Sequence, residues 1–164
     1  MKSLISFIVL CLINLSVLGQ KATDNKVIEP IEKNLILSAG FSYQGQGHYY
    51  GEINFMFSKP DIDIYSKYDM GPKIGVEATL NHNHFVYAPK ISVETVAVFT
   101  YRGSIISYID NGKVDLRLLP EIGVSSFGVF SITYGYNIAL LDFKSPETTN
   151  NRITLTFNLW RHKL

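Results

Sequence analysis

From Leu35 onward, apolar residues recur at every second position, and the interruptions hold Gly, Asn, Asp, Ser or Pro. A period of two is the signature of strands with one apolar face, and no stretch beyond Leu35 carries the 3.6-residue period of a convincing helix. In "LILSAGFSYQ" Leu35, Leu37, Ala39, Phe41 and Tyr43 oppose Ser38, Gly40, Ser42 and Gln44. After the turn "GQG", "HYYGEINFMF" sets Tyr49, Ile53, Phe55 and Phe57 against His48, Glu52 and Asn54. A long break, Ser58 to Asp69, precedes "GPKIGVEATL", which alternates Ile74, Val76 and Ala78 with Lys73, Gly75 and Glu77. "NHNH" reads as the next turn, and "FVYAPKISVET" carries Phe85, Tyr87, Ile91 and Val93 opposite Lys90, Ser92 and Glu94.

A fifth strand, about Val98 to Ile109, sets Phe99, Tyr101 and Ile105 against Thr100, Arg102 and Ser104, with Ile106 and Tyr108 spoiling the alternation. "DNGK" is a hairpin signal, since Asn-Gly accepts the positive φ angles of a type I′ turn. "KVDLRLLPEIGV" sets Val114, Leu116, Leu118 and Ile122 against Asp115, Arg117 and Glu121. "FSITYGYNIAL" and "RITLTFNLW" complete the series, the latter with Arg152, Thr154 and Thr156 on its polar side. Three strands share a motif: "GPKIGVEAT", "APKISVETV" and "LPEIGVSSF" each place a proline on the apolar face just before a charge. Proline cannot donate to a ladder, so Pro72 is expected to open its strand, and Pro89 and Pro120 to mark local bulges or bends that aim Lys90 and Glu121 into the lumen.

Eight strands of roughly ten residues have the length that crosses a bilayer at a tilt. An even number closes as an up-and-down barrel without free edges, a geometry shared by soluble ligand barrels and outer-membrane barrels. The faces separate the two. One row is almost free of charge and rich in Phe, Tyr, Ile, Leu and Val, as lipid would enforce, although a soluble barrel core would enforce the same row from within. The other row is Ser, Thr, Gly and Asn with spaced charges of both signs: Glu52, Glu77, Glu94, Asp115 and Glu121 against Lys73, Lys90, Arg102, Lys113, Arg117 and Arg152. Such near-cancellation suits ion pairs filling a narrow lumen, because an unpaired buried charge is costly. Apart from Lys113, which belongs to the "DNGK" hairpin, these are the candidate members of a lumen polar network. Tyr43, Tyr49, Phe85, Tyr87 and Phe127 fall toward strand ends, where aromatic girdles belong.

Composition narrows the partners. Fifteen Lys and Arg against 14 Asp and Glu give a net charge of +1, which offers neither a footprint for nucleic acid nor a polybasic segment for an anionic membrane surface. Residues 1–19, "MKSLISFIVLCLINLSVLG", carry Lys2, an apolar run and a small-residue end, as a cleaved secretory signal peptide does; a transmembrane helix would need a longer run. The single cysteine, Cys11, lies within it, so the exported chain is expected to be free of disulfides. Residues 20–34 form a polar lead with Pro30, and 35–164 form the barrel domain.

The strand pattern, together with "GPKIGVE", "LPEIGVS", "TYGYN" and a last strand ending in Phe157 and Trp160, resembles the small eight-stranded outer-membrane β-barrel proteins of the OmpA/OmpX-type class, including their uncharacterised members. The resemblance covers about Leu35 to Trp160. It implies an all-β, eight-stranded antiparallel up-and-down transmembrane β-barrel with a polar, side-chain-filled lumen, located in the outer membrane. Its partners would be outer-membrane lipid and, during biogenesis, the barrel-insertion machinery. Two features depart from the pattern: "RHKL" trails beyond the terminal aromatic, and the Ser58–Asp69 break falls where turns are usually short.

Chemistry-bearing motifs are few. His48, His82 and His84 sit at predicted turns and could hold a metal with Glu52, but solvated turn histidines are the commoner case, and no metal or cofactor is expected. Ser, His and acidic residues are present without the spacing that marks a nucleophile and its base. Three classes follow: a non-enzymatic envelope barrel with a structural or interaction role, a soluble periplasmic or secreted ligand-binding barrel, and a lipid-modifying outer-membrane enzyme. The first is expected. "DFKSPETTNN" is the one long predicted surface loop.

Overall fold

The computed structural model describes residues 33–63, 66–80, 85–126 and 128–164. The signal peptide over 1–19, the lead up to Glu32, His82, His84 and Phe127 lie outside the described residues. The chain forms β1 (Asn34–Gln44), β2 (His48–Asp63), β3 (Ser66–Thr79), β4 (Tyr87–Val96), β5 (Phe99–Asp110), β6 (Lys113–Ser126), β7 (Phe130–Tyr136), β8 (Ile138–Ala139) and β9 (Asn151–Lys163). All pairings are antiparallel, and β1 closes the sheet against β9. The short β8 continues the line of β7 along β6, so nine elements make an eight-strand closed barrel without a free sheet edge. Between β7 and β8, Asn137 turns its backbone N–H to the Asn150 carbonyl at 2.6 Å, which splits that strand in two.

Local chemistry explains the connections. Asn111 and Gly112 have φ of 49° and 76°, the two left-handed residues of a type I′ turn between Asp110 and Lys113. The Ser58–Asp69 stretch is not a loop: β2 runs to Asp63, β3 starts at Ser66, and the ladder pairs Lys59 with Met70 through Asp63 with Ser66. Asp and Lys are poor strand formers in isolation, but here pairing with a partner strand overrides propensity.

The prolines behave alike, though not as expected. Pro72 lies inside β3, and neither Pro89 nor Pro120 makes a bulge. Each proline and the residue before it drop out of one ladder while keeping the other: Gly71 and Pro72 pair with β4 but not β2, Ala88 and Pro89 with β3 but not β5, Leu119 and Pro120 with β5 but not β7 or β8. Register is the same on both sides of each gap, so the missing N–H is absorbed without an extra residue. The one register shift lies between Leu37 and Ser38, whose partners are Trp160 and Asn158, leaving Leu159 as the extra residue.

The barrel is polar inside and apolar outside. Along β4, Lys90 and Glu94 are each 2% exposed, whereas Ile91 and Val93 are 66% and 56% exposed. The outward row on β3 runs from Met70 to Leu80, which at about 3.3 Å per residue and a tilt of about 40° stands roughly 25 Å tall. Outside residues 59–68, the exposed Asp, Glu, Lys and Arg among the described residues are Lys33, Lys113, Asp142, Lys144, Arg161 and Lys163, all at one end of the barrel or the other. The alternation of β5 is unbroken: Ile106 and Tyr108 point inward and are fully buried.

Candidate functional site in the barrel lumen

Alternation along each strand delivers Glu52, Lys73, Glu77, Lys90, Glu94, Arg102, Asp115, Arg117, Glu121 and Arg152 to the interior, each no more than 5% exposed. Eight of the ten join in one layer. Arg102 lies at the hub, 2.7 Å from Glu94, 3.3 Å from Glu121 and 3.7 Å from Glu52. Lys73 bonds the other oxygen of Glu94 at 2.7 Å, and Lys90 pairs with Glu52. Arg152 grips Glu77 with both terminal nitrogens, at 2.9 and 2.6 Å, and reaches Glu52 at 3.2 Å. Four carboxylates thus meet four cations in a layer with no net formal charge. Each ion lost from water is compensated by contact with opposite charge, which is the condition for burying it. Small residues make the room: a Cβ on Gly40 would meet the Glu52 side chain at 2.6 Å, and one on Gly135 would meet Glu121 at 2.6 Å. Hydroxyls add further bonds, with Thr133 donating to Glu121 at 2.9 Å and Thr154 accepting from Arg152 at 2.9 Å.

Next to this layer sits an apolar plug of Tyr50, Val86, Ala88, Ile106, Tyr108 and Leu119, all fully buried. The rings of Tyr50 and Tyr108 meet edge to face at 5.6 Å. The Tyr108 hydroxyl accepts from Arg152 at 3.2 Å and from Gln44 at 3.1 Å, tying the plug to the ions on one side and to the barrel mouth on the other.

That mouth, at the end opposite the paired Asn34 and Lys163, holds Asp115 and Arg117. Arg117 donates through Nε and Nη2 to both Asp115 oxygens at 2.7 to 3.0 Å. The segment Leu140–Asn150 folds back into this opening, burying Ser145 and Thr148. It was expected as a surface loop; its tip instead finishes the hydrogen bonding of the mouth. At the terminal end, Asp69 accepts from Ser58 at 3.0 Å and pairs with Arg161.

Glu52 is held among Lys90, Arg102 and Arg152. His48 Nδ1 lies 2.8 Å from Glu147 at the rim of the mouth. No group of three or more metal-ligating side chains occurs among the described residues. Sequence reasoning overlooked Tyr50, Tyr108 and Asp110 as interior residues, whereas Gln44 lies inside as its polar row required. The signal was available for Tyr108 and Asp110, which share the parity of Arg102 and Ser104 along β5. Nothing in the linear pattern announces that Ser145 or Arg161 would meet acids 35 and 92 positions away.

Comparison with protein-family models, curated proteins and solved structures returns no match to this chain.

Proposed function

We propose that this chain is an outer-membrane β-barrel protein of the cell envelope: an up-and-down transmembrane barrel, exported by a cleaved signal peptide over residues 1–19, with a non-enzymatic structural or interaction role. The observation that carries this reading is the inverted polarity of the barrel. Twelve charged side chains are buried, and outside residues 59–68 the outward row of Ile, Val, Leu, Phe and Tyr carries charge only at its ends. In water such a surface would far exceed the apolar patches that a monomer keeps exposed; against acyl chains it is the stable arrangement. Aromatic pairs near both ends support the same reading, with Tyr43 and Tyr49 at one end and Phe130 and Phe157 toward the other.

An eight-strand barrel has a bore that its own side chains fill, and here ions, an aromatic plug and an infolded segment occupy it in succession. A conducting pore is therefore not the role proposed. Lipid chemistry would require a nucleophile joined to a base; Ser145 donates to Asp110 while His48 is engaged by Glu147, two separate pairs. Outer-membrane lipid and the barrel-insertion machinery are the partners this reading implies.

Fractionation with a heat-modifiability gel tests it. The protein should sediment with the envelope and migrate differently before and after boiling. Recovery in the soluble periplasmic fraction would favour a ligand-binding barrel and sink the membrane assignment.

A further inference from the structure

At the far mouth the barrel holds a piece of its own chain. Ser145, Pro146, Glu147 and Thr148 form a turn, closed by the Thr148 N–H donating to the Ser145 carbonyl at 3.2 Å, and proline at its second position presets the geometry. Six residues of the barrel receive this turn. Asp115 accepts the Ser145 N–H at 2.8 Å, and Asp110 accepts the Ser145 hydroxyl at 2.7 Å. The Tyr50 hydroxyl donates to the Glu147 carbonyl at 3.0 Å, Arg117 donates to the carbonyls of Thr148 and Thr149 at 3.4 Å, and Asn137 donates to the Thr149 carbonyl at 2.9 Å. His48 meets the Glu147 carboxylate at the rim.

Two features distinguish this from an ordinary loop. Most of the contacts go to main-chain groups, which any peptide in the same turn presents; the Ser145 hydroxyl and the Glu147 carboxylate are read as side chains. The arms run along the rim: the Leu140 N–H donates to the Leu116 carbonyl at 2.8 Å, Asn150 donates to the Tyr136 hydroxyl at 3.2 Å, and Lys113 lies over the Phe143 ring at 5.3 Å, while Leu140, Leu141, Asp142 and Lys144 are exposed. A hairpin could have closed here with two residues, as Asn111 and Gly112 do between β5 and β6.

We propose that the far mouth is a peptide-recognition site for a hydroxyl-Pro-acidic turn of a partner protein, and that residues 145–149 occupy it as an internal ligand. The site is pre-organised, because the Asp115–Arg117 pair is complete within β6 and keeps its geometry when the tip departs. A tether of this length holds the tip at an effective concentration in the millimolar range, so a partner binds only by outcompeting it. The proposal goes beyond the membrane assignment and does not rest on it, since the mouth lies at the end of the barrel whichever solvent surrounds the wall.

The test uses the full-length protein, folded in detergent micelles, with residues 140–150 replaced by a Gly-Ser linker of equal length. The probe is a fluorescently labelled Ser-Pro-Glu-Thr-Thr peptide with blocked termini, read by anisotropy. Saturable binding is expected in the linker variant, at least about tenfold tighter than in the unaltered protein, and weakened about tenfold by Asp110→Ala or by Ala in place of Glu in the peptide. A heat-modifiable, folded linker variant that ignores the peptide up to millimolar concentration overturns the proposal. Equal binding by variant and unaltered protein does the same, because the site would then lie elsewhere. If the linker variant fails to fold, the double substitution Ser145→Ala/Glu147→Ala in the intact chain carries the test: it weakens the internal ligand and should admit the peptide, and its failure to do so also overturns the idea.

Discussion

The ion layer and the far mouth fill the same lumen by different means. In the layer, every group comes from a strand, and Arg102 alone touches three carboxylates supplied by β2, β4 and β6. Removing any member leaves a buried charge short of its partner. In the mouth, the barrel meets a connecting segment, and most of the bonds go to its peptide groups. Those groups can be rehydrated if the segment leaves, because the opening adjoins solvent: His48 and Glu147 side chains are 15% and 17% exposed. The contrast teaches that burial of polar groups serves two ends here. One fixes the cross-section of the barrel, and the other fastens a part that can be released.

Substitutions can break or sharpen that contrast. The largest effect is expected for Arg102→Met, which leaves Glu52, Glu94 and Glu121 short of a cation and should cost about 3–5 kcal/mol in urea unfolding of the folded barrel. Adding Glu94→Gln to that variant should recover part of the loss, and a double variant no more stable than the single one would show that charge balance is not what the layer supplies. Next comes Ile74→Arg, near the middle of the outward row on β3. In a bilayer it should cost about 2–4 kcal/mol, measured by unfolding from lipid vesicles; a cost within about 0.5 kcal/mol is what an ordinary solvent-facing site would give and would count against lipid around the wall. Gly40→Ala should cost about 1–3 kcal/mol by driving a methyl group into the Glu52 side chain. The smallest effect belongs to the rim: His48→Ala should change global stability by no more than about 1 kcal/mol while raising protease cleavage or hydrogen exchange within 140–150. Loss of global stability without faster exchange there would erase the distinction between the two regions.

Much of this was legible before any coordinates. The apolar and polar rows of β3, β4 and β6 follow from alternation, and they put Lys73, Glu94 and Arg117 inside and Ile74 and Ile91 outside. Other features were concealed for identifiable reasons. Ile106 and Tyr108 looked like errors in the pattern because alternation was judged by polarity, whereas the lumen also contains an apolar plug that accepts them. The Ser58–Asp69 stretch looked like a loop because Lys, Pro and Asp cluster there, yet cross-strand pairing holds most of it as strand. The prolines were expected to distort the sheet, but losing one ladder over two residues proved sufficient.

By itself the sequence determined which side of each strand a residue occupies, since side-chain direction alternates along a strand regardless of what lies across the barrel. Only the tertiary structure decided who meets whom. Arg152 finds Glu52 across 100 positions and Glu77 across 75, and Ser145 finds Asp110 because the chain turns back into its own mouth. Those encounters depend on how eight strands are staggered when the sheet closes, a property of the whole ring that no local pattern encodes.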